Sequence, residues 1–207
     1  MASENSHYQG LLVDYGGVLT SDLFDSFRSF CELEGIEANA VGQKFRQDPV
    51  CRELLIGLET GRLPEEEFEV KFAAILGVQA PGLIDRLFAG SSPDEPMLDA
   101  VLHARRAGIR TGLVSNSWGT RRYDRSRLAE LFDGIVISGE VGMRKPGLAI
   151  YELGAERIGL DAAACVFVDD LPFNLEPAAE LGMATVHHVS SENTIEQLER
   201  LLGVELR

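Results

Sequence analysis

Two short apolar runs that end in acidic residues constrain the fold of this chain most strongly. Residues 10–13 predict a buried strand, which is followed at once by Asp14 and then by Gly16-Gly17. Residues 165–168 have the same character and end at Asp169-Asp170. Because open α/β sheets bind ligands beyond the carboxyl ends of their strands, we expect all three acids at one ligand-binding edge.

The acids at this edge need a partner that relieves their negative charge. Carboxylates held close together and partly buried are unfavourable unless a cation or shared protons offset their repulsion. A divalent metal with oxygen ligands is the simplest explanation, which makes Asp14, Asp169 and Asp170 candidate ligands.

Strand and helix signals alternate from Ile109 to the end of the chain. Apolar runs predict strands at 109–114, 134–137, 165–168 and 184–189. Helical patterns fall between and after them, starting at Pro146, spanning roughly 174–181, and starting again at Asn193. This alternation predicts an α/β fold with a Rossmann-like, doubly wound parallel sheet.

The stretch from residue 21 to residue 92 has a different character. It contains seven of the ten phenylalanines, and its apolar residues recur at helical spacing, as in Phe24, Phe27 and Cys31 or Phe68 and Phe72. A Ser-Pro-Asp-Glu-Pro turn then leads back to the sheet. We predict a small helical module at 21–92, inserted into a core domain formed by 1–20 and 93–207.

Charge and composition narrow the possible partners and location. The net charge of −14 argues against extended binding to nucleic acid or anionic membranes. The apolar runs are far shorter than the ~20 residues of a membrane span, and the polar residues 1–9 lack the features of a signal peptide. With three widely separated cysteines and no CxxC spacing, a cytoplasmic protein is expected, either a monomer or a small homo-oligomer.

Four separated motifs together resemble those of the haloacid dehalogenase-like (HAD) superfamily. In chain order they are Asp14-Tyr15-Gly16-Gly17-Val18, Leu113-Val114-Ser115-Asn116, Lys145-Pro146 and Val168-Asp169-Asp170. The pattern is closer still to the phosphatase domain of soluble epoxide hydrolase and to related bacterial sugar-phosphate phosphatases. The resemblance covers the whole chain except residues 21–92, where only the position and the helical character agree.

The resemblance implies an Mg²⁺-dependent phosphatase acting on a small phosphorylated metabolite. Asp14 would be the nucleophile that forms an aspartyl-phosphate, and Lys145 would supply the cation that lets two anions approach. Ser115 and the backbone amide of Asn116 would donate to phosphate oxygens. Trp118 would contact either the substrate or the helical module, which would act as a specificity cap.

The same resemblance implies a set of metal ligands. Asp14, Asp170 and the carbonyl of Gly16 would bind Mg²⁺ directly, because Mg²⁺ takes one or two carboxylates together with waters and phosphate oxygens. Asp169 would hold a metal-bound water.

One position departs from the family pattern. Most HAD phosphatases carry an aspartate two residues after the nucleophile that protonates the leaving group, and here Gly16 has no proton to donate. Two alternatives therefore stay open. A metal-independent dehalogenase also lacks this acid, although it would not need Asp169-Asp170. A non-catalytic HAD-fold binding protein is the other alternative.

Two further groups of residues are expected to be structural. His187 and His188 are neighbours on a predicted strand, so they should point to opposite faces and not form a metal pair. Four arginines follow the second motif, and the pattern favours a solvated helix face over a place at the rim of the pocket: Arg121, Arg122, Arg125 and Arg127.

Overall fold

A computed structural model describes residues 8–207; residues 1–7, which belong to the predicted core domain and to the polar amino terminus, lie outside the described residues. The strands are β1 (Gly10–Val13), β2 (Arg110–Ser115), β3 (Gly134–Ile137), β4 (Cys165–Asp169) and β5 (Ala184–His187). The helices are α1 (Leu23–Leu33), α2 (Ala40–Gln47), α3 (Pro49–Glu59), α4 (Glu65–Leu76), α5 (Leu83–Leu87), α6 (Glu95–Arg106), α7 (Arg125–Leu131), α8 (Ser138–Val141), α9 (Leu148–Arg157), α10 (Pro172–Glu180) and α11 (Ser191–Leu202). No helix in the described part of the chain is long and apolar enough to cross a membrane.

The five strands form one parallel sheet in the order β3-β2-β1-β4-β5. The chain moves outward from β1 through β2 to β3 and then returns to the other side of β1 for β4 and β5. The boundary between β1 and β4 is therefore the topological switch point, where such sheets bind ligands. This architecture confirms the predicted α/β fold with a Rossmann-like parallel sheet.

Helices cover both faces of the sheet because successive strand residues point to opposite sides. On one face, Leu12 and Phe167 pack with Tyr151 of α9 and Ala178 of α10. On the other face, side chains of the same strands, including Leu11, pack with α6, α7 and α11. Burial on both sides explains why β1 and β4 read as continuous apolar runs.

Helices α1–α5, which we call the helical insert, build a separate hydrophobic cluster around Phe30, Phe68 and Phe72. Phe27 and Cys31 are buried there as the spacing predicts, whereas Phe24 is 40% exposed. The chain enters and leaves the insert side by side, since Thr20 bridges Pro93 and the Ser21 amide donates to the Ser92 carbonyl. The predicted boundaries at 20/21 and 92/93 fall where these two segments lie side by side, and they remain predictions.

Several element ends differ from the sequence-based expectation. α9 begins at Leu148 and not at Pro146, because Gly147 keeps an extended backbone immediately before the first helical residue. α10 begins two residues early, with Pro172 at a first-turn position. β5 stops at His187, which pairs with the last residue of β4.

Candidate active site

Four chain segments meet at the carboxyl edge of the sheet beside the switch point. Asp14 follows β1, Ser115 ends β2 and Asp169 ends β4. Lys145 reaches the same place from the connection between α8 and α9. The parallel register brings the three strand ends together, because neighbouring strands end at the same level.

Lys145 lies between two carboxylates at the centre of the site. Its Nζ is 2.7 Å from Oδ1 of Asp14 and 2.6 Å from Oδ2 of Asp169. The lysine side chain is 1% exposed, and the side chains of Asp14 and Asp169 are 11% and 0% exposed. Asp169 is also held by the Leu171 amide at 2.9 Å and by Nδ2 of Asn174 at 3.0 Å. Both of its carboxylate oxygens are therefore bound by protein groups.

The pKa values of these groups reflect burial and mutual repulsion. Burial raises the pKa of Asp14, the negative charges of Asp169 and Asp170 raise it further, and Lys145 opposes both effects. Burial alone would lower the pKa of Lys145, but the attraction of Asp14 and Asp169 outweighs it and leaves that pKa raised. Burial, followed by the charge of Asp169, raises the pKa of Asp170 to about 6. When all three carboxylates are ionised, the positive charge of Lys145 is therefore not enough to neutralise them.

The shape and chemistry of the acidic cluster fit a divalent cation. Asp14, Asp169 and Asp170 each place an oxygen within 4.8 Å of the others, and one lysine balances only one of the three charges. Carboxylate oxygen donors are those that Mg²⁺ prefers. Asp170 approaches the turn after β1 so closely that a Cβ on Gly17 would lie 2.5 Å from its Oδ2, and Gly17 has a φ of 77°. Only glycine accommodates both conditions.

The side chains of the second motif already have partners. Oγ of Ser115 shares a 2.8 Å hydrogen bond with the hydroxyl of Tyr123, whose ring contacts that of Tyr15 at 5.0 Å between centroids. The amide side chain of Asn116 holds the Lys145 backbone on both sides, accepting from its N–H at 2.8 Å and donating to its carbonyl at 3.0 Å. Asn116 therefore fixes the loop from which Lys145 projects.

Trp118 is packed into the helical insert. Its ring lies 5.3 Å from that of Phe27, and it also contacts Phe45, Phe68 and Phe88. The tryptophan follows the second motif, so this packing joins the sheet edge to the insert. Contact with a substrate remains a prediction.

Gly16 faces the first helix of the insert. A Cβ at this position would lie 2.5 Å from Cδ1 of Leu23, so the leucine occupies the space that a larger residue would need. Gly16 and Leu23 also line a cavity of about 230 Å³ together with Tyr15, Phe88 and Arg122. Tyr15 and Gly16, which line this cavity, directly follow the candidate nucleophile Asp14 in the sequence.

Two residues that support the site had no role assigned from the sequence, although Asn174 fits the family pattern. Tyr123 binds Ser115, and Asn174 binds Asp169. Asn174 stands near the start of α10 and is 2% exposed. The sequence signal for Asn174 was its position: it is a polar residue near the start of a buried helix, five positions after an acidic strand end. Tyr123 lies in an irregular segment and offers no comparable pattern.

The expected solvated helix face forms in part: Arg125 and Arg127 lie on α7, with side chains 46% and 41% exposed. Arg121 and Arg122 precede α7 and pair with Glu65 and Asp85 of the insert. Arg125 and Arg127 pair with Glu140 and Glu95 of the sheet domain. The pairs of Arg121 and Arg122 form because the segment after the second motif contacts the insert, and Arg122 and Arg127 also line the cavity beside Gly16.

The two histidines lie outside the acidic cluster. His187 contacts the backbone carbonyl of Asp170 through Nε2, and His188 contacts the hydroxyl of Thr194. Within residues 8–207, the group that could hold a metal contains only the three aspartates.

The family model for haloacid dehalogenase-like hydrolases matches residues 8–182, and the chain belongs to this family of hydrolases. Bifunctional epoxide hydrolase 2 from Sus scrofa is 31% identical over 152 residues, which are 70% of this chain and 25% of that protein. The chain thus spans about a quarter of the length of the epoxide hydrolases it matches. A glyceraldehyde 3-phosphate phosphatase from Methanocaldococcus jannaschii is 26% identical over 122 residues, 52% of this chain and 54% of that protein.

Solved structures share the fold. A protein from Porphyromonas gingivalis, described as a predicted HAD-like family hydrolase, superposes with a TM-score of 0.73 at 25% identity, over 97% of this chain and all of that one. A HAD family enzyme from Bacteroides thetaiotaomicron, in complex with magnesium and inorganic phosphate, gives a TM-score of 0.65 at 23% identity, over 87% of this chain and 93% of that one.

Proposed function

We propose that the protein is an Mg²⁺-dependent phosphatase that hydrolyses the phosphate monoester of a small metabolite through an aspartyl-phosphate on Asp14. The observation that carries the proposal is the buried cluster in which Lys145 balances only one of three carboxylates. Such a site is suited to bind a dication together with a phosphate group. The phosphatase among its relatives and the magnesium and phosphate in the Bacteroides enzyme support the proposal.

Each residue has a definite part in the proposed reaction. An oxygen of Asp14 attacks phosphorus, a P–O bond to Asp14 forms, and the bond to the leaving oxygen breaks. Lys145 reduces the repulsion between the carboxylate and the phosphoryl group, and Ser115 and the Asn116 amide donate to its oxygens. Water then attacks the aspartyl-phosphate, which releases inorganic phosphate and restores Asp14.

The metal would be held by Asp14, Asp170 and the Gly16 carbonyl, with Asp169 beside it. Bound Mg²⁺ supplies positive charge that stabilises the transferring phosphoryl group. Both carboxylate oxygens of Asp169 already accept hydrogen bonds from protein groups, so we assign it to a metal-bound water and not to direct coordination.

The helical insert would act as the cap that selects the substrate. The cavity beside Gly16 is the proposed place for the leaving group, and Leu23, Phe88 and Leu19 give it an apolar lining. Trp118 would influence the substrate through the insert side chains it packs against. Because no acid stands at Gly16, leaving groups with low pKa values are favoured: anomeric sugar hydroxyls, acyl carboxylates and aryl alcohols. The apolar lining favours the aryl group among these.

The proposal is tested by a phosphate-release screen of sugar, acyl, aryl and nucleotide phosphates, with Mg²⁺ and with a chelator. We expect Mg²⁺-dependent release by the wild type, none by Asp14→Asn, and unchanged release by Asp99→Asn, a control on the exposed surface of α6. Halide release from haloacids that survives the chelator would identify a dehalogenase instead. Mg²⁺ binding without turnover of any ester would identify a binding protein.

A further inference from the structure

Glu59, the last residue of α3, is a buried acid that connects the helical insert to the sheet domain. Its side chain is 6% exposed, and its Oε2 lies 2.5 Å from Nε of Arg144. Burial raises the pKa of Glu59, and the charge of Arg144 opposes this rise. Arg144 immediately precedes Lys145, so the ion pair holds the base of the lysine's loop.

The backbone of the same residue is linked through Ser138 to the loop that follows Ser115. The Glu59 carbonyl accepts a 2.5 Å hydrogen bond from Oγ of Ser138, and this oxygen accepts from the Ser117 amide at 2.8 Å. Ser117 follows Ser115-Asn116 directly. The contact leaves no space, since a Cβ on Gly61 would lie 2.4 Å from the Gly139 carbonyl oxygen.

The other ion pairs between the insert and the sheet domain are different. Each of them has one partner open to solvent: Arg121 is 71% exposed and its partner Glu65 15%, while Asp85 is 77% exposed and its partner Arg122 25%. Exposed pairs of this kind contribute little to structure. Glu59, in contrast, is buried and reaches both loops that carry the proposed phosphate donors.

We propose that Glu59 is a positioning residue that aligns Lys145 through Arg144 and so makes phosphoryl transfer depend on docking of the helical insert. Through its carbonyl it also fixes the loop after Ser115, and the Asn116 side chain joins the two loops. The proposal rests on the phosphatase function for its kinetic consequence. The contacts of Glu59 can be tested whether or not the protein is a phosphatase.

Kinetics provide the first test. In Glu59→Gln, kcat and kcat/KM should fall together by about 10- to 100-fold, so that KM stays nearly unchanged, because a shift of about 1 Å in a catalytic group has an effect of this size. Arg144→Lys, which keeps the charge and loses the planar fork, should show an intermediate loss. Glu66→Gln, which changes an exposed partner of Arg121 on the insert, is the matched control and should behave as the wild type.

Hydrogen exchange provides a second test that does not need turnover. Glu59→Gln should speed amide exchange at residues 115–118 and 143–147 together, whereas Glu66→Gln should change neither. If the wild type hydrolyses no ester, the phosphatase proposal fails while the exchange result still decides the positioning role. Wild-type kcat in Glu59→Gln, or exchange unchanged in both segments, would overturn the inference. If Glu59→Gln does not fold, the same two measurements on Arg144→Lys decide it.

Discussion

Replacing Lys145 by methionine should leave two buried carboxylates without their cation. Methionine keeps most of the volume, so the loss is one of charge. Asp169 retains the Leu171 amide and the Asn174 side chain, while Asp14 loses the ammonium group 2.7 Å away. Breaking a buried ion pair in this way costs about 3–5 kcal/mol. At about 2–4 °C per kcal/mol for a chain of this size, Tm should fall by about 6–20 °C.

The destabilisation of Lys145→Met should depend on pH in a defined direction. Lys145 lowers the pKa of Asp14, so without the lysine that pKa lies further above its value in the unfolded chain. The loss is therefore greater at pH 8, where the fold must bind a proton that the unfolded chain does not bind or hold an unpaired charge, and smaller at pH 5, where protonation of Asp14 costs less.

Thermal unfolding at pH 5 and pH 8 in the presence of a chelator measures this effect. Lys71→Met is the control, because Lys71 and its partner Glu67 are half-exposed on α4 and such pairs contribute about 0–1 kcal/mol. The reasoning is refuted if Lys145→Met loses no more stability than Lys71→Met, or if its loss is the same at both pH values.

Four other outcomes test the same site. Asp14→Asn should abolish phosphate release and keep the wild-type fold by circular dichroism; retained turnover would exclude a covalent role. Calorimetric Mg²⁺ titration should show a larger loss of affinity for Asp170→Ala than for Asp169→Ala, and the reverse order would exchange their assignments. Mg²⁺ should raise the wild-type Tm more at pH 8 than at pH 5, because protons on Asp14 and Asp170, whose pKa values are raised, compete with the metal; equal shifts would contradict this. Gly16→Asp should raise rates on alkyl esters only when Leu23→Ala makes room for it, so a gain in the single variant would show that Leu23 moves aside.

The sequence alone determined the sheet and the position of its acids. Apolar runs buried on both faces identify β1 and β4 without reference to the rest of the chain, and the residue after each run must lie at the carboxyl edge. The juxtaposition of Asp14 with Asp169-Asp170 follows from the parallel order of the strands. The order of the four motifs was sufficient to identify the family, and the family model agrees.

Only the tertiary structure decided which side chains support this cluster. Glu59 and Arg144 are 85 positions apart, and Asn116 and Lys145 are 29 apart. No local periodicity encodes such pairs, because they depend on where the insert and the irregular loops settle on the sheet. The same reason explains why Arg121 and Arg122 pair with acids of the insert, which the charge pattern of their own segment does not reveal. Local pattern therefore set the strands and the acids at their ends, while long-range packing set the partners that hold those acids in place.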